Sequence, residues 1–332
     1  MAPAVSFIIP VYDRPDEIHD LLESMARQTD RDFEVVIVED GSKVPCRKEC
    51  EDFDGAVNLK YFYKDNEGRS IARNYGIDRA DGDFLVFIDS DCILPPDYVE
   101  KLKKELERSS IDCYGGPDAA HDSFSDVQKA INFAMTSFLT TGGIRGGKVS
   151  MEKFVPRTFN MGFSRAVYDV VGGFREMFSE DIDMSTRIRN AGFNPVLLPD
   201  VYVFHKRRVN LKKFWRQVHV FGMSRITLQL LYPGSMKLVH WLPALFVVGA
   251  VAMIIGAFFS ILCLVPLLLY FLVLFVWGSI SMKSIKRGAL GVVAGAIQLF
   301  GYGTGFIRAY IWKILLRHGR DEQQEVEMRR GK

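Results

Sequence analysis

Apolar residues along this chain change period several times in the first hundred positions and lose any period near the C-terminus. Short apolar runs at 5–9, 33–38, 59–63 and 84–88 predict buried strands, whereas 16–28 and 70–80 carry the spacing of amphipathic helices. Strands that alternate with helices predict an α/β fold, a mostly parallel sheet covered on both faces. In such a sheet the ligand sits beyond the carboxyl ends of the strands. Polar residues collect there: Tyr12 and Asp13 after the first strand, Asp40-Gly41-Ser42 after the second, and Asp89 and Asp91 after the fourth. Further on, the pattern predicts helices from Pro96 to about Arg108 and over 123–140, and a strand over 158–163. A helix over 181–191, short strands around Val196 and Val201, and a helix over 211–231 follow. Glycines crowd residues 141–147, which predicts a loop, either a lid or a plain connector. No internal repeat occurs.

From Trp241 to Met282 the chain contains no Asp, Glu, Lys or Arg. Since a membrane-spanning helix needs about 20 apolar residues, this stretch predicts two spans, at about 241–260 and 264–282. A third, glycine-rich apolar segment at 288–312 either spans, re-enters or lies in the interface. The expected organisation is therefore a soluble domain over 1–210, an interfacial helix over 211–235 that mixes Phe214, Trp215 and Phe221 with cations, a membrane region over 236–312, and a charged tail over 313–332.

The net charge of +2 changes little, but its distribution matters. Lys206, Arg207, Arg208, Lys212, Lys213, Arg216 and Arg225 stand ahead of the first span with no acidic residue among them. That block fits the positive-inside bias and anionic headgroups. It places the N-terminal domain on the cytosolic side of a cytoplasmic membrane. Without a nucleic-acid-binding motif beside it, the block does not argue for nucleic acid as a partner. Met1 to Ala4 lead straight into the first strand, with no secretory leader pattern. The five cysteines are odd in number and lack zinc-site spacing, which predicts free thiols in a reducing compartment.

The chemistry lies in the acidic motifs. Asp89 and Asp91, one residue apart at the end of an apolar strand, direct two carboxylates toward one spot able to hold a divalent cation. Such a cation neutralises a departing nucleoside diphosphate. Val5-Ser6-Phe7-Ile8-Ile9-Pro10-Val11-Tyr12, Val38-Glu39-Asp40-Gly41-Ser42, Asn66-Glu67-Gly68-Arg69-Ser70-Ile71-Ala72-Arg73-Asn74, Phe87-Ile88-Asp89-Ser90-Asp91, Asn160-Met161-Gly162-Phe163, Gly172-Gly173-Phe174 and Ser179-Glu180-Asp181-Ile182-Asp183 follow one another in a set order. In that order the chain resembles the inverting glycosyltransferases of family 2 over roughly residues 5–225.

The resemblance implies a GT-A fold and a set of roles. Asp91 would bind Mg²⁺ or Mn²⁺, with Asp89 on the metal or the ribose and His205 completing the metal shell. Asp40 would contact the base of a UDP- or GDP-sugar donor, in a pocket shared with Pro10, Tyr12 and Asp13. Gly68 and Arg73, at a loop-to-helix junction, would face its phosphates, and Asp181 would act as catalytic base. The Gln-x-x-Arg-Trp motif of processive synthases is absent, since the helix reads Phe214-Trp215-Arg216-Gln217-Val218. A single transfer to a membrane lipid, lipid-linked or polyprenyl-phosphate acceptor in cell-envelope glycan synthesis is therefore expected. The rivals are a processive polysaccharide synthase and a membrane scaffold that only binds nucleotide sugar.

Overall fold

The computed structural model describes residues 4–119, 121, 123–142, 155–206 and 210–317. The expected glycine-rich loop beyond residue 142, Arg207 and Arg208 of the basic block, and the tail beyond residue 317 lie outside these residues. The chain divides into two units, residues 1–124 with 144–206, and residues 125–143 with 207–332. The first unit runs β1 (Val5–Val11), α1 (Pro15–Ala26), β2 (Glu34–Asp40), α2 (Arg47–Glu51), β3 (Asn58–Lys64), α3 (Arg69–Ile77), β4 (Phe84–Phe87), β5 (Cys92–Ile93), α4 (Tyr98–Arg108), β6 (Cys113–Gly115) and β7 (Asp118–Ala119). The second unit begins with α5 (Asp126–Thr136) and α6 (Phe138–Thr141). The chain then returns to the first for β8 (Met161–Ser164), α7 (Arg165–Val171), α8 (Glu180–Asn190), β9 (Val196–Leu197) and β10 (Val203–His205). It closes in the second with α9 (Leu211–Leu231), α10 (Leu238–Gly256), α11 (Val265–Ser281) and α12 (Ile285–Ala309).

Seven strands form one sheet in the order β3-β2-β1-β4-β8-β6-β9. β3, β2, β1 and β4 are mutually parallel, and β8 runs antiparallel to both β4 and β6. The apolar runs are continuous because helices cover both faces. Phe7, Ile9 and Val11 join a core that also holds Ile18, Leu21 and Leu22 of α1, while Ile8 joins the opposite core with Ala72 of α3, Met184 and Ile188. Strand alternation thus feeds two separate cores. Fully burying each of the larger of these side chains contributes about 1.5–3 kcal/mol. After β3 the chain crosses to the other side of β1, so β1 is flanked by β2 and β4 and the crevice beyond its carboxyl end is the switch point of the sheet.

A second, three-stranded sheet has the order β5-β10-β7. The strand expected around Val201 lies instead at Val203–His205, and its register sets His205 opposite Cys92. The helix expected over 123–140 breaks at Ser137, whose φ of −65° and ψ of 137° are extended. Ser137 caps the short α6, its side chain accepting from the Leu139 amide.

In the second unit, α10, the segment Ile261–Ser281 and the segment Ile285–Leu315 are each long and apolar enough to cross a membrane. α12 is α-helical without a break through Ala309, over nearly all of the stretch for which re-entry was an alternative, and Tyr310–Leu315 follows as a π-helix. It packs against α9 through glycine. A Cβ on Gly222 would stand 2.1 Å from the Tyr302 carbonyl oxygen, and one on Gly305 would stand 2.1 Å from that of His219. Small residues that let helix backbones approach this closely are a recurring device of membrane helices. Gly222→Val and Gly305→Val are each expected to cost about 1–3 kcal/mol or more by overpacking. Both would lower the unfolding temperature of the detergent-solubilised protein, while Gly249→Ala, with nothing within 4 Å of its added carbon, leaves it unchanged. α5 is tied to the start of α12 by Asp126, which accepts from Lys286 at 2.8 Å and Arg287 at 2.8 Å. Those two hydrogen bonds draw its carboxyl down to about 2.

Candidate active site

In the first unit the acidic motifs form separate clusters: Asp40 with Lys64 and the turn into α3, Asp89 and Glu180 on Arg73, and Asp91 with Arg14 and His205. The loop after β1 turns at Asp13, whose φ is +52°. Its carboxylate accepts from the backbone amides of Lys43 at 2.6 Å and Val44 at 3.1 Å, and its own amide donates to Ser42 Oγ at 2.7 Å. Asp13 therefore staples the loops after β1 and β2 together. Tyr12 beside it is 47% exposed, leaving its ring free for contact.

Asp40 ends β2 almost fully buried. Its oxygens accept from Lys64 at 2.9 Å, the Glu67 amide at 3.0 Å and the Gly68 amide at 2.9 Å. The carboxylate thus secures the turn that enters α3. Gly68 caps that helix with φ +95°, and Gly41 is held at φ +72° with Asn66 2.5 Å from where a Cβ would stand. Both positions need glycine for backbone reasons.

Arg73, 2% exposed, is the centre of the second cluster. Its guanidinium donates to Asp89 at 2.7 Å and to Glu180 at 2.9 Å, and lies 5.5 Å over the ring of Phe174. Glu180 also accepts from Arg69 at 2.6 Å. Arg69 is exposed and Arg73 is enclosed, so of the two arginines Arg69 has the open face, while Arg73 reaches the crevice through Asp89. Asn74, next on α3, holds the Gly172-Gly173-Phe174 turn by exchanging two hydrogen bonds with the backbone of Phe174. α8 begins at Glu180 after Ser179, which sits at φ +66°. Asp181 follows in its first turn, one carboxylate oxygen accepting from the Ile182 amide at 2.9 Å and the other 3.6 Å from Arg157.

Asp91 is held by a separate set of partners. Arg14 Nη1 is 2.5 Å from its Oδ2, and His205 Nε2 is 3.2 Å from its Oδ1. Burial alone would raise the Asp91 carboxyl, but His205 and Arg14 outweigh it and hold the group well below the usual carboxylate range. The His205 ring stacks on Phe159 at 5.0 Å, with Asp118 3.7 Å from its far nitrogen. Ligand atoms of Asp91, His205 and Cys92 lie within 4.8 Å of one another. Burial, with Asp91 and Asp89 nearby, pushes the Cys92 thiol well up, and its sulfur contacts the Phe159 carbonyl oxygen at 3.6 Å. The usable donors are therefore a carboxylate oxygen and an imidazole nitrogen. That set fits Mg²⁺ or Mn²⁺, which take further oxygens from water and phosphate.

All the candidate site residues named from the sequence lie in this unit: Pro10 in β1, Tyr12 and Asp13 after it, Asp40, Gly68 and Arg73 around α3, Asp91 beside His205, and Asp181 at the start of α8, while Asp89 is held by Arg73 and lies outside the Asp91–Cys92–His205 group. Sequence reasoning passed over Arg14, Glu180, Arg157 and Asp118. Glu180 stood within a quoted motif but read as a helix terminus, and Arg14 directly follows the Tyr12-Asp13 pair. Nothing in the sequence distinguishes Arg157 or Asp118.

A mostly parallel sheet with helices on both faces and acidic side chains collected beyond its strand ends defines an α/β protein with the layout of a ligand-binding switch point. The profile described as "Glycosyl transferase family 2" matches residues 6–172, half of the chain, and the chain belongs to that family. It is 27% identical over 266 residues to the glycosyltransferase AglE of Haloferax volcanii, covering 73% of this chain and 82% of that one. It is 39% identical over 101 residues to the putative glycosyltransferase EpsH of Bacillus subtilis, 29% of whose length is matched. Its fold is similar to that of a Pyrobaculum calidifontis mannosyltransferase solved with GDP-Man and Mn²⁺, with a TM-score of 0.63 over 90% of this chain and 88% of that one at 18% identity. The expected GT-A architecture is thereby established.

Proposed function

We propose that this protein is a membrane-anchored, metal-dependent inverting glycosyltransferase that moves a hexose from a UDP- or GDP-sugar to a lipid-linked or polyprenyl-phosphate acceptor. The observation that carries the reading is the linkage Asp89–Arg73–Glu180, which joins the Asp-x-Asp motif to the residue beside Asp181. Tyr12 offers a stacking face for the base, and Asp13 and Asp40 keep the surrounding loops in place. Arg69 meets the donor's negative charge. Asp91 and His205 would hold the divalent cation, which when bound neutralises the diphosphate as it leaves. The acceptor oxygen attacks the anomeric carbon opposite the leaving group, forming the new C–O bond as the bond to the diphosphate oxygen breaks. Asp181 takes the proton of a hydroxyl acceptor.

Three long apolar helices in the same polypeptide favour an acceptor confined to the bilayer, since anchoring raises its effective concentration. The basic residues ahead of the first span favour a cytosolic catalytic unit. The Pyrobaculum enzyme's GDP-Man and Mn²⁺ put these two first among donors and cations to try. Full-length protein in detergent is to be incubated with a panel of UDP- and GDP-sugars. At least one donor is expected to release nucleoside diphosphate when both Mn²⁺ or Mg²⁺ and a membrane-lipid extract are present. Release that needs neither cation nor lipid, or from no donor at all, overturns the reading. Asp181→Asn is expected to slow transfer to a hydroxyl by about 10²-fold or more, while a phosphate acceptor, already anionic, is hardly affected.

A further inference from the structure

We propose that Arg14 is the stand-in for the divalent cation in the unliganded enzyme. Its guanidinium covers Asp91 until cation and donor arrive, then turns to the donor's diphosphate. The inference rests on the proposed reading of Asp91 as a metal ligand.

Both oxygens of Asp91 are engaged, Oδ2 by Arg14 at 2.5 Å and Oδ1 by His205 at 3.2 Å. A guanidinium nitrogen that close leaves no room for a cation on Oδ2. The pairing has a physical reason, because Asp91 is largely enclosed and a buried carboxylate without a counter-charge is costly. A divalent ion at Asp91 would meet the same charge need and repel the guanidinium from it.

The backbone around Arg14 fits a residue that moves only its side chain. Asp13 is anchored by three hydrogen bonds to residues 42, 43 and 44, and Pro15 opens α1 directly after it. Arg14 stands at the helix N-cap, with φ −142° and ψ 51°, and makes no side-chain cap bond. The arm therefore pivots from a fixed point at the carboxyl end of β1, on the switch-point crevice. The negative groups around it are Asp91, Glu17 and Asp89. When a cation neutralises Asp91, a diphosphate in the crevice becomes the strongest available partner, and a planar guanidinium suits phosphate bidentately.

The device predicts competition between a side chain and a metal ion. If Arg14 covers Asp91 nine-tenths of the time, the apparent cation affinity of the empty enzyme is reduced about tenfold. Mn²⁺ binding to full-length protein in detergent is to be titrated by electron paramagnetic resonance, with and without nucleoside diphosphate. Without nucleotide, Arg14→Gln is expected to bind Mn²⁺ about tenfold more tightly than the native protein, with Arg14→Lys between them. With nucleoside diphosphate present the advantage is expected to vanish or reverse, because the variant has lost the donor contact. Mn²⁺ affinity of Arg14→Gln equal to or weaker than native without nucleotide overturns the proposal, provided that Asp91→Asn abolishes binding. Mn²⁺ binding that survives in Asp91→Asn instead refutes the metal assignment on which the proposal stands. Native-like melting of Arg14→Lys separates either result from misfolding.

Discussion

Asp91→Ala is expected to reduce cation-dependent nucleoside-diphosphate release by about 10³-fold or more, equivalent to roughly 4 kcal/mol of transition-state stabilisation. The Asp91 carboxylate lies 3.2 Å from His205 Nε2, and its removal takes the oxygen donor from the pair that fits a divalent cation. It also takes from Arg14 the carboxylate it pairs with directly. No excess of Mn²⁺ restores the rate, since the loss is one of ligand geometry, whereas Asp91→Glu keeps the charge and is expected to recover part of it at high Mn²⁺. Asp97→Ala is the matched control. Asp97 pairs with Lys101 on the exposed side of α4, and surface pairs of this kind contribute about 0–1 kcal/mol. A steady-state assay across Mn²⁺ concentrations measures all three. Retention of more than about a tenth of native activity by Asp91→Ala contradicts the site.

The fold was most legible where local pattern and global position agree. β1, β2 and β4 lie inside a two-faced sheet, so their middle residues are mostly apolar and their ends coincide with polar clusters. The three apolar helices were legible for the related reason that a helix in lipid must be apolar over its length. The small sheet β5-β10-β7 was not, because its strands are two or three residues long and carry no period, yet its register brings His205 to Asp91. Arg73 was assigned to phosphate from its place at a loop-to-helix junction. Its burial follows from Glu180, 107 residues further along the chain, and no local pattern connects the two. Arg14 reached Asp91 across 77 residues in the same way. α5 illustrates a different limit. Its amphipathic sequence predicts a helix with one buried face, but nothing local shows that this face belongs with α12, where Ala130, Ile131 and Ala134 share a core with Ala294. Asp40 shows that a motif position can serve the chain itself, as its oxygens already accept from Lys64 and two backbone amides.

Arg73→Met is expected to cost about 3–5 kcal/mol of stability, because breaking a buried ion pair leaves an uncompensated charge. Glu180 is as enclosed as Arg73 and would keep only the exposed Arg69, while Asp89 would lose its 2.7 Å partner. Arg73→Lys is expected to fall between, since one ammonium cannot reproduce a fork that grips two carboxylates on separate elements. The double variant Arg73→Met, Glu180→Gln removes both buried charges and should therefore be more stable than Arg73→Met alone. Thermal unfolding of the purified variants measures this coupling, and strictly additive losses would show that Arg73 and Glu180 do not act as a pair. Activity is expected to part company with stability here. The double variant regains folding but not rate, because Asp89 still lacks the arginine that sets its carboxylate and Asp181 follows a position 180 no longer tied to residue 73. A double variant with both native stability and native rate would mean that the Asp89–Arg73–Glu180 linkage holds the fold alone and has no part in aligning the two carboxylate motifs.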